Sequence, residues 1–266
     1  MNKIHKKINF AQNFSSLGKG RRSKILLFFS AFVLPTLKRK GIFWNINKTI
    51  HIEKFGREAS FYLGGYSDLM MLKEIFMDGE YDVSTLPSNP RVIVDIGGNI
   101  GASALFFSMK YPSANIYVFE PNPDLLPVLQ KNIGGRPHIT ILNYAITKER
   151  KQFDLYINPR NPASSSLKER QTTTEKIVVH GIPFDEARQQ LSIDTIDILK
   201  FDIEGGEYDM LSTMDRSRVR YYVGEVHFDL MDVSPESFFK LFDQCVSEVR
   251  WMGSDQKRAI LSASCR

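Results

Sequence analysis

A glycine-rich turn directly after an apolar run is the first feature of this chain that could do chemistry. Residues 92–96 are rich in Val and Ile, and the pattern that follows is Asp95-x-Gly97-Gly98-Asn99-x-Gly101. Such a run ending in glycines is typical of a buried parallel strand whose backbone turns close to a ligand, with no Cβ in between. A helix beginning at Ala102 would aim its free N–H groups at the same place. The segment therefore predicts a binding loop for a nucleoside-bearing cofactor, formed by Asp95, Gly97, Gly98, Asn99 and Gly101.

The spacing of the glycines separates two classes of cofactor. A nicotinamide dinucleotide loop reads Gly-x-Gly-x-x-Gly, and this chain fits that spacing poorly. The acid at the strand end, Asp95, would repel a pyrophosphate but attract the amine and the sulfonium of S-adenosylmethionine. A second strand ends on Glu120, about 20 residues past the last glycine, where an acid accepts hydrogen bonds from both ribose hydroxyls. S-adenosylmethionine is therefore the expected cofactor, with Glu120 and Asn122 among its contacts. The alternative is a pair of structural acids at strand ends in another doubly wound protein.

Further polar residues follow three later strands, where the carboxyl ends of a parallel sheet gather side chains. Methyl transfer to a hydroxyl needs positioning and the removal of a proton, by a base or with help from a metal ion. We expect Asn143 and Ala145 to contact the cofactor and Asp202 to face its methionine half. The structural alternative for Asp202 is a helix cap.

Two chemistries for the proton stay open at this point. His227 is the candidate general base, because imidazole titrates near neutral pH, although a lone histidine is more often structural. Asp202 and Glu204 are the other catalytic candidates. Glu207 falls in the first turn of a predicted helix, where an acid is favoured without any function. The alternative chemistry is a divalent ion such as Mg²⁺ held by Asp202, Glu204, Glu225 or His227.

Five segments of the chain carry a resemblance to a known family. Beside the glycine loop they are residues 119–123, 164–167, 196–207 and 224–227. They resemble the FkbM family of S-adenosylmethionine-dependent methyltransferases, which mostly act on hydroxyl oxygens. The block Lys-x-Asp-x-Glu-Gly-x-Glu that begins at Lys200 is its most specific part. The resemblance implies a Rossmann-like class I methyltransferase fold, with a mostly parallel seven-stranded sheet and helices on both faces. It also implies a sugar, a glycan or a similar small molecule as the acceptor.

The apolar pattern alternates between short extended runs and helical runs, as a parallel sheet covered by helices requires. Strands are expected at 92–96, 116–119, 139–144, 153–157, 176–180, 196–202 and 220–226. Helices are expected at 68–76, 102–110, 124–132, 185–190, 206–213 and 235–246. The resemblance adds a final pair of strands within 246–262. The Pro-rich stretch 87–90 predicts a boundary between an N-terminal extension, residues 1–88, and a cofactor-binding domain, residues 89–266.

The N-terminal extension is strongly basic. Residues 1–54 carry 12 Lys and Arg and a single acid, whereas the remainder of the chain is net acidic. That acidic remainder argues against a nucleic-acid partner. The apolar run 25–34 is too short to span a bilayer, which needs about 20 apolar residues, and it lies late for a signal peptide. It would suit peripheral contact with an anionic membrane face. Packing on its own domain or in a homo-oligomer is the equally weighted alternative.

The sequence thus predicts an S-adenosylmethionine-dependent O-methyltransferase, with two alternatives from other classes. One is an inactive methyltransferase-like scaffold that docks through its basic N-terminus, and the other is a nicotinamide oxidoreductase, which the glycine spacing disfavours. Two cysteines, Cys245 and Cys265, are too few for a disulfide framework, and no Cys/His cluster has zinc spacing. A cytoplasmic setting is expected, with attachment at the inner membrane face left open.

Overall fold

A seven-stranded sheet forms the centre of the molecule. The computed structural model describes residues 3–42, 44–158, 165–168 and 175–265. The sheet contains β3 (Val92–Ile96), β4 (Asn115–Phe119), β5 (Ile139–Leu142), β9 (Ile196–Phe201), β10 (Val219–His227), β11 (Cys245–Trp251) and β12 (Arg258–Cys265). Its order is β11-β12-β10-β9-β3-β4-β5, and only β12 runs against the others. The predicted fold class, including the final pair of strands, is confirmed.

Alternate residues of the central strands enter two hydrophobic clusters, one on each face of the sheet. Ile93 and Ile198 join the cluster formed with α4 (Ala102–Lys110) and α5 (Leu126–Ile133). Val94 and Leu199 join the cluster on the other face, with α6 (Phe184–Gln190), α7 (Glu207–Thr213) and α8 (Pro235–Phe239). Because β9 is buried along its whole length, the polar residues that follow it emerge only at the carboxyl edge of the sheet.

The N-terminal segment is built of α1 (Lys3–Ser16), α2 (Gly20–Arg39), the hairpin β1 (Lys48–Lys54) and β2 (Arg57–Leu63), and α3 (Tyr66–Leu72). A π-helical turn, Lys73–Met77, continues α3. Phe14 and Leu27 are fully buried in the same cluster as α4. One face of α2 therefore packs on its own domain. No helix in the described part of the chain is both long and apolar enough to cross a membrane.

Three local expectations are corrected by the structure. The runs near 153 and 176 form β7 (Lys151–Ile157) and β8 (Glu175–Ile182), which pair with β6 (Ala145–Ile146) in a separate three-stranded sheet. The last helix is shorter than predicted, because α8 ends at Phe239 and passes into a short 3-10 turn. Cys245 and Cys265 face each other across β11 and β12 and are joined by a disulfide, which their spacing in the sequence did not predict.

Candidate active site

The loop between β3 and α4 is pinned at the sheet edge by contacts that need glycine. Gly97 has φ +79°, and a Cβ on it would lie 1.9 Å from the backbone oxygen of Asp202. The backbone N–H groups of Gly97 and Gly98 both donate to the oxygen of Phe119, at 2.9 and 3.0 Å. Gly101, with φ +88°, turns the chain into α4. The loop is therefore fixed between the ends of β4 and β9.

Asp95 supports this loop indirectly, through Lys200. Its side chain is fully buried and lies 3.0 Å from Lys200 Nζ, while Ser103 Oγ donates to its second oxygen at 2.6 Å. Lys200 also donates to the backbone oxygen of Gly97 at 2.8 Å. Burial alone would lower the pKa of Lys200, but the charges of Asp95 and Asp202 raise it above its usual value. The acid at the strand end thus holds the loop, and its direct contact with a cofactor stays a prediction.

Glu120 lines a cavity that we call the apolar cavity. Its two carboxylate oxygens accept hydrogen bonds from the backbone N–H groups of Asn99 and Asn122, each at 2.8 Å. Burial nevertheless raises the pKa of Glu120 to about 7. The apolar walls of the cavity come from several elements and include Ile96, Phe119, Leu125, Tyr144, Ala145 and Leu155.

Two of the three asparagines predicted as cofactor contacts, Asn122 and Asn143, brace the segment after β4. The side-chain amide of Asn143 donates to the backbone oxygens of Glu120 and Pro121, at 2.8 and 2.9 Å. Asn122 is fully buried, and its side-chain oxygen accepts from the N–H of Asp124 at 3.0 Å. Both residues therefore fix the backbone that carries Glu120, and their own contact with a ligand stays a prediction.

His227 lies at the centre of a group of acids beyond β9 and β10. Its Nε2 is 3.2 Å from Glu204, 3.3 Å from Glu225 and 3.9 Å from Asp202, and its Nδ1 is 2.8 Å from Glu207 on the opposite side of the ring. The candidate catalytic and metal-binding residues are thus brought together, as their positions at strand ends predict. The structural alternative for Asp202 is absent from the described residues, since Gly206 stands at the N-terminus of α7 without a side-chain cap.

Burial and neighbouring charges together shift the pKa values of this group. Burial by itself would lower the pKa of His227, but the hydrogen bond with Glu207 and the pairing with Glu225 raise it well above its usual value. Desolvation and the charge of Glu225 raise the pKa of Asp202 well above its usual range. A protonated imidazole has no lone pair with which to accept a proton. The carboxylates around His227 thus favour its charged form, and its role as the general base stays a prediction.

A second opening lies against the same edge of the sheet. We call it the acidic cavity, because Glu74, Glu80, Asp202, Glu204 and Glu225 line it. Its other walls include Lys38 and Tyr66 from the N-terminal segment and Arg258 from β12. Burial, with help from the charge of Glu225, raises the pKa of Glu80 to about 7. The two cavities share Gly97, Asn99, Asp202 and Glu204 as lining residues.

The serine segment of the resemblance contributes to the site. Ser165 and Ser166 line the apolar cavity, and Ser166 Oγ donates to the backbone oxygen of Glu204 at 2.7 Å. Glu204 has φ +54°, an unusual backbone conformation for a residue with a side chain, and this hydrogen bond helps to hold it. Ser164 lies outside the described residues.

Several residues of the site were not predicted from the sequence. Glu207 was interpreted as an ordinary first-turn acid, yet it is fully buried against His227. Tyr144, Glu80 and Arg258 come from segments without a recognisable pattern. One available signal was the Glu-x-x-Glu spacing of Glu204 and Glu207, which places both acids beside the same strand end.

A sheet with this strand order, with its site at the carboxyl edge beside the first glycine loop, defines a Rossmann-like methyltransferase fold. The model of the methyltransferase FkbM domain matches residues 95–247, and the chain belongs to this family.

Three relatives are similar to part of this chain. The chain is 30% identical over 175 residues to methyltransferase sdnD of Sordaria araneosa, covering 54% of this chain and 67% of that protein. It is 27% identical over 199 residues to hexuronic acid methyltransferase AglP of Haloferax volcanii, covering 72% and 79%. It is 26% identical over 159 residues to 2-O-methyltransferase NoeI of Sinorhizobium fredii, covering 52% and 65%.

Proposed function

We propose that this protein transfers the methyl group of S-adenosylmethionine to a hydroxyl of a sugar, a glycan or a similar small acceptor. One observation carries the proposal. The apolar cavity and the acidic cavity meet at Gly97, Asn99, Asp202 and Glu204, so that a ligand in one would lie beside a ligand in the other. Two adjoining cavities are what a transfer between a cofactor and an acceptor requires.

The apolar cavity has the features that S-adenosylmethionine needs. Phe119, Leu125, Tyr144 and Leu155 offer apolar surface for an adenine ring, and Glu120 offers carboxylate oxygens to ribose hydroxyls. The cofactor, when bound, would supply a methyl group on a positively charged sulfur that leaves as a neutral thioether. The residues of the chain bind and orient it, and the loop at Gly97 lets the backbone come close.

The acidic cavity suits an acceptor with several hydroxyl groups. Its carboxylates can accept hydrogen bonds from hydroxyls, and Lys38 and Arg258 can donate to ring or carboxylate oxygens. Asp202 and Glu204 lie where the cavities meet, and their carboxylates are the proposed acceptors of the proton from the attacking hydroxyl. The name of AglP, a hexuronic acid methyltransferase, favours a carbohydrate acceptor for this chain, and the name of NoeI, a 2-O-methyltransferase, favours transfer to a hydroxyl.

The first test is cofactor binding. S-adenosylmethionine is expected to raise the melting temperature of the protein, while NAD is not, because only a ligand of the native state stabilises it. The matched variant Glu120→Gln keeps the shape of the side chain but removes its charge, and it should show a smaller shift. Equal stabilisation by NAD would contradict the proposal and favour the oxidoreductase alternative.

The second test is transfer itself. The protein is incubated with methyl-labelled S-adenosylmethionine and fractions of capsule, lipopolysaccharide and small glycans. A methyl ether on a hydroxyl survives mild alkali, whereas a methyl ester on a uronic acid releases labelled methanol. Alkali-stable label that depends on Asp202 is the expected result. Cofactor binding without transfer to any fraction would favour the scaffold alternative, and alkali-labile label would make the acceptor a carboxylate.

We further propose that α2 makes peripheral contact with an anionic membrane. Ile25, Phe29 and Val33 are exposed along one face of the helix, although Leu27 on the other face is buried. The surrounding excess of Lys and Arg complements anionic lipid headgroups, each contributing about 1 kcal/mol near such a surface. Because α2 also belongs to the core, point variants test this idea better than removal of the segment.

The double variant Phe29→Ser and Val33→Ser is expected to lose binding to phosphatidylglycerol vesicles without losing its fold. Val246→Ser changes another exposed apolar side chain, on β11, and serves as the control. Binding of the unaltered protein should weaken as salt is added, since the Debye length shortens. The proposed membrane contact would be contradicted if the protein bound neutral vesicles equally strongly. It would also be contradicted if both variants still bound phosphatidylglycerol vesicles.

A further inference from the structure

We propose that Asp202, Glu204 and His227, with Glu225 beside them, bind a divalent first-row transition-metal ion at the floor of the acidic cavity. Asp202, Glu204 and His227 each offer one ligand atom, and these atoms lie within 4.8 Å of one another. Asp202, Glu204 and Glu225 all line the acidic cavity. An ion held here would be open to a ligand that enters from that side.

The separations between the donor atoms fit a shared ion. Metal–ligand distances of about 2.0–2.2 Å place neighbouring donors roughly 3 to 4 Å apart around one ion. His227 Nε2 lies 3.2 Å from Glu204, 3.3 Å from Glu225 and 3.9 Å from Asp202. Only small side-chain movements would therefore be needed to close the site around an ion.

Three of the donor atoms are buried without a hydrogen bond, although Glu225 Oε1 also lies 3.5 Å from Nη1 of Arg258. Within the described part of the chain, Asp202 Oδ1, Glu225 Oε1 and His227 Nε2 are buried and have no hydrogen-bond partner. The His227 side chain is only 1% exposed, and the neighbouring carboxylates lie close to Nε2 without completing a hydrogen bond to it. A buried ring nitrogen aimed into a group of acids points to a positively charged ligand between them, because unsatisfied buried polar atoms are costly.

Glu207 supplies the outer support that metal-binding histidines commonly have. It lies 2.8 Å from Nδ1 of His227, on the side of the ring away from the other acids. Its own oxygens accept from the backbone N–H of Gly205, at 3.1 and 3.0 Å. A carboxylate on one ring nitrogen fixes the proton there and leaves the other nitrogen for the metal. Glu207 is therefore a positioning residue rather than a ligand.

The mixed donor set indicates which ion fits best. Carboxylates alone suit Mg²⁺ and Ca²⁺, whereas an imidazole ligand favours transition metals, and Mn²⁺ accepts both. Mn²⁺ is accordingly expected to bind more tightly than Mg²⁺. The role of the ion rests on the proposed function: an acceptor hydroxyl bound to it would give up its proton more readily. Binding of the ion itself does not depend on that function.

Titration of the metal-free full-length protein with Mn²⁺, followed by the EPR signal of the free ion, tests the site directly. One bound ion per chain is expected, with weaker competition from Mg²⁺. Glu204→Gln should weaken Mn²⁺ binding by at least about 100-fold, and Glu207→Gln by about 10- to 100-fold, the usual effect of losing an outer partner. Glu74→Gln, an acid of the same cavity outside the cluster, should change the affinity less than about threefold.

The outcomes separate this inference from the proposed function. Absence of Mn²⁺ binding by the unaltered protein would overturn the site, whether or not S-adenosylmethionine binds. A loss in Glu74→Gln equal to that in Glu204→Gln would also overturn it, by showing diffuse attraction instead of coordination. Circular dichroism of each variant checks that the fold is kept. Tight Mn²⁺ binding without methyl transfer would support the metal site while contradicting the proposed function.

Discussion

The two sides of the candidate site are built in different ways. The glycine loop and Glu120 on the cofactor side come from one continuous segment, from β3 to the residue after β4, and backbone contacts such as those of Gly97 with Asp202 and Phe119 set the geometry of the loop, whereas several elements supply the apolar walls. The acidic side is assembled from the N-terminal segment, β9, β10 and β12, and its geometry is set by charged side chains around His227. The glycine loop has no space for an added Cβ at Gly97, whereas the acidic side can change its side chains to suit an acceptor.

The largest expected effect comes from adding a single methyl group to the cofactor side. Gly97→Ala would force a Cβ to within 1.9 Å of the backbone oxygen of Asp202, at a φ of +79°. We expect a loss of about 4 kcal/mol or more in the free energy of unfolding, together with loss of cofactor binding. Chemical denaturation and calorimetric titration measure the two effects.

Gly135→Ala is the matched control for this prediction. Gly135 has a φ of +78°, but a Cβ on it would meet nothing within 4 Å. Only backbone strain of about 1 kcal/mol is expected there. Similar losses in both variants would mean that strain, and not the close approach of the loop to β9, sets the requirement for glycine.

The next largest effect is a pH dependence of adenosine binding, which is set by Glu120 on the cofactor side. The pKa of Glu120 is raised to about 7 in the free protein, and ribose hydroxyls donate better to its ionised form. Adenosine itself does not titrate near neutral pH. Its affinity for the protein should therefore rise as the pH increases through 7. Below pH 7, the affinity should decrease by up to about tenfold for each pH unit. At pH 8, Glu120→Gln should bind adenosine more weakly by about 1.5 to 3 kcal/mol.

The pH profile of Glu120→Gln provides the check on that assignment. A glutamine does not titrate, so its adenosine affinity should be flat between pH 6 and 8. A variant that kept the profile of the unaltered protein would place the ribose away from Glu120. Glu120 would then not belong to the cofactor side of the site.

The smallest expected effect lies on the acidic side. Lys38 reaches the acidic cavity from the N-terminal segment, and its ammonium lies 4.5 Å above the ring of Tyr66. Lys38→Ala should raise the KM for the acceptor several-fold, a cost of about 1 kcal/mol, and leave the affinity for S-adenosylmethionine unchanged. Lys24→Ala, an exposed lysine on the same helix, is the control. Equal kinetics in both variants would remove the N-terminal segment from the acceptor site.

The same contrast explains how much the sequence could predict. The glycine loop, Glu120 and the acids after β9 follow directly from local rules, because each lies at the end of a recognisable apolar run. Neighbouring parallel strands carry such residues to one edge whatever the details of packing.

What the sequence could not show depends on contacts between distant segments. The hairpin β1–β2 and the three-stranded side sheet rely on partners that local periodicity does not specify. Glu207 carries the same local signal whether it interacts with a helix dipole or with His227. Lys38 and Glu80 reach the acidic cavity only because the N-terminal segment packs beside α4, and no spacing in the chain encodes that arrangement.

A crystal structure of the protein with S-adenosylhomocysteine tests the central claim most directly. The account predicts ribose hydroxyls on the carboxylate of Glu120, the adenine between the walls of the apolar cavity, and the sulfur turned towards Asp202, where the acidic cavity begins. The ligand bound elsewhere, or bound with its sulfur facing away from the acidic cavity, would contradict the claim that the two cavities form one site of methyl transfer.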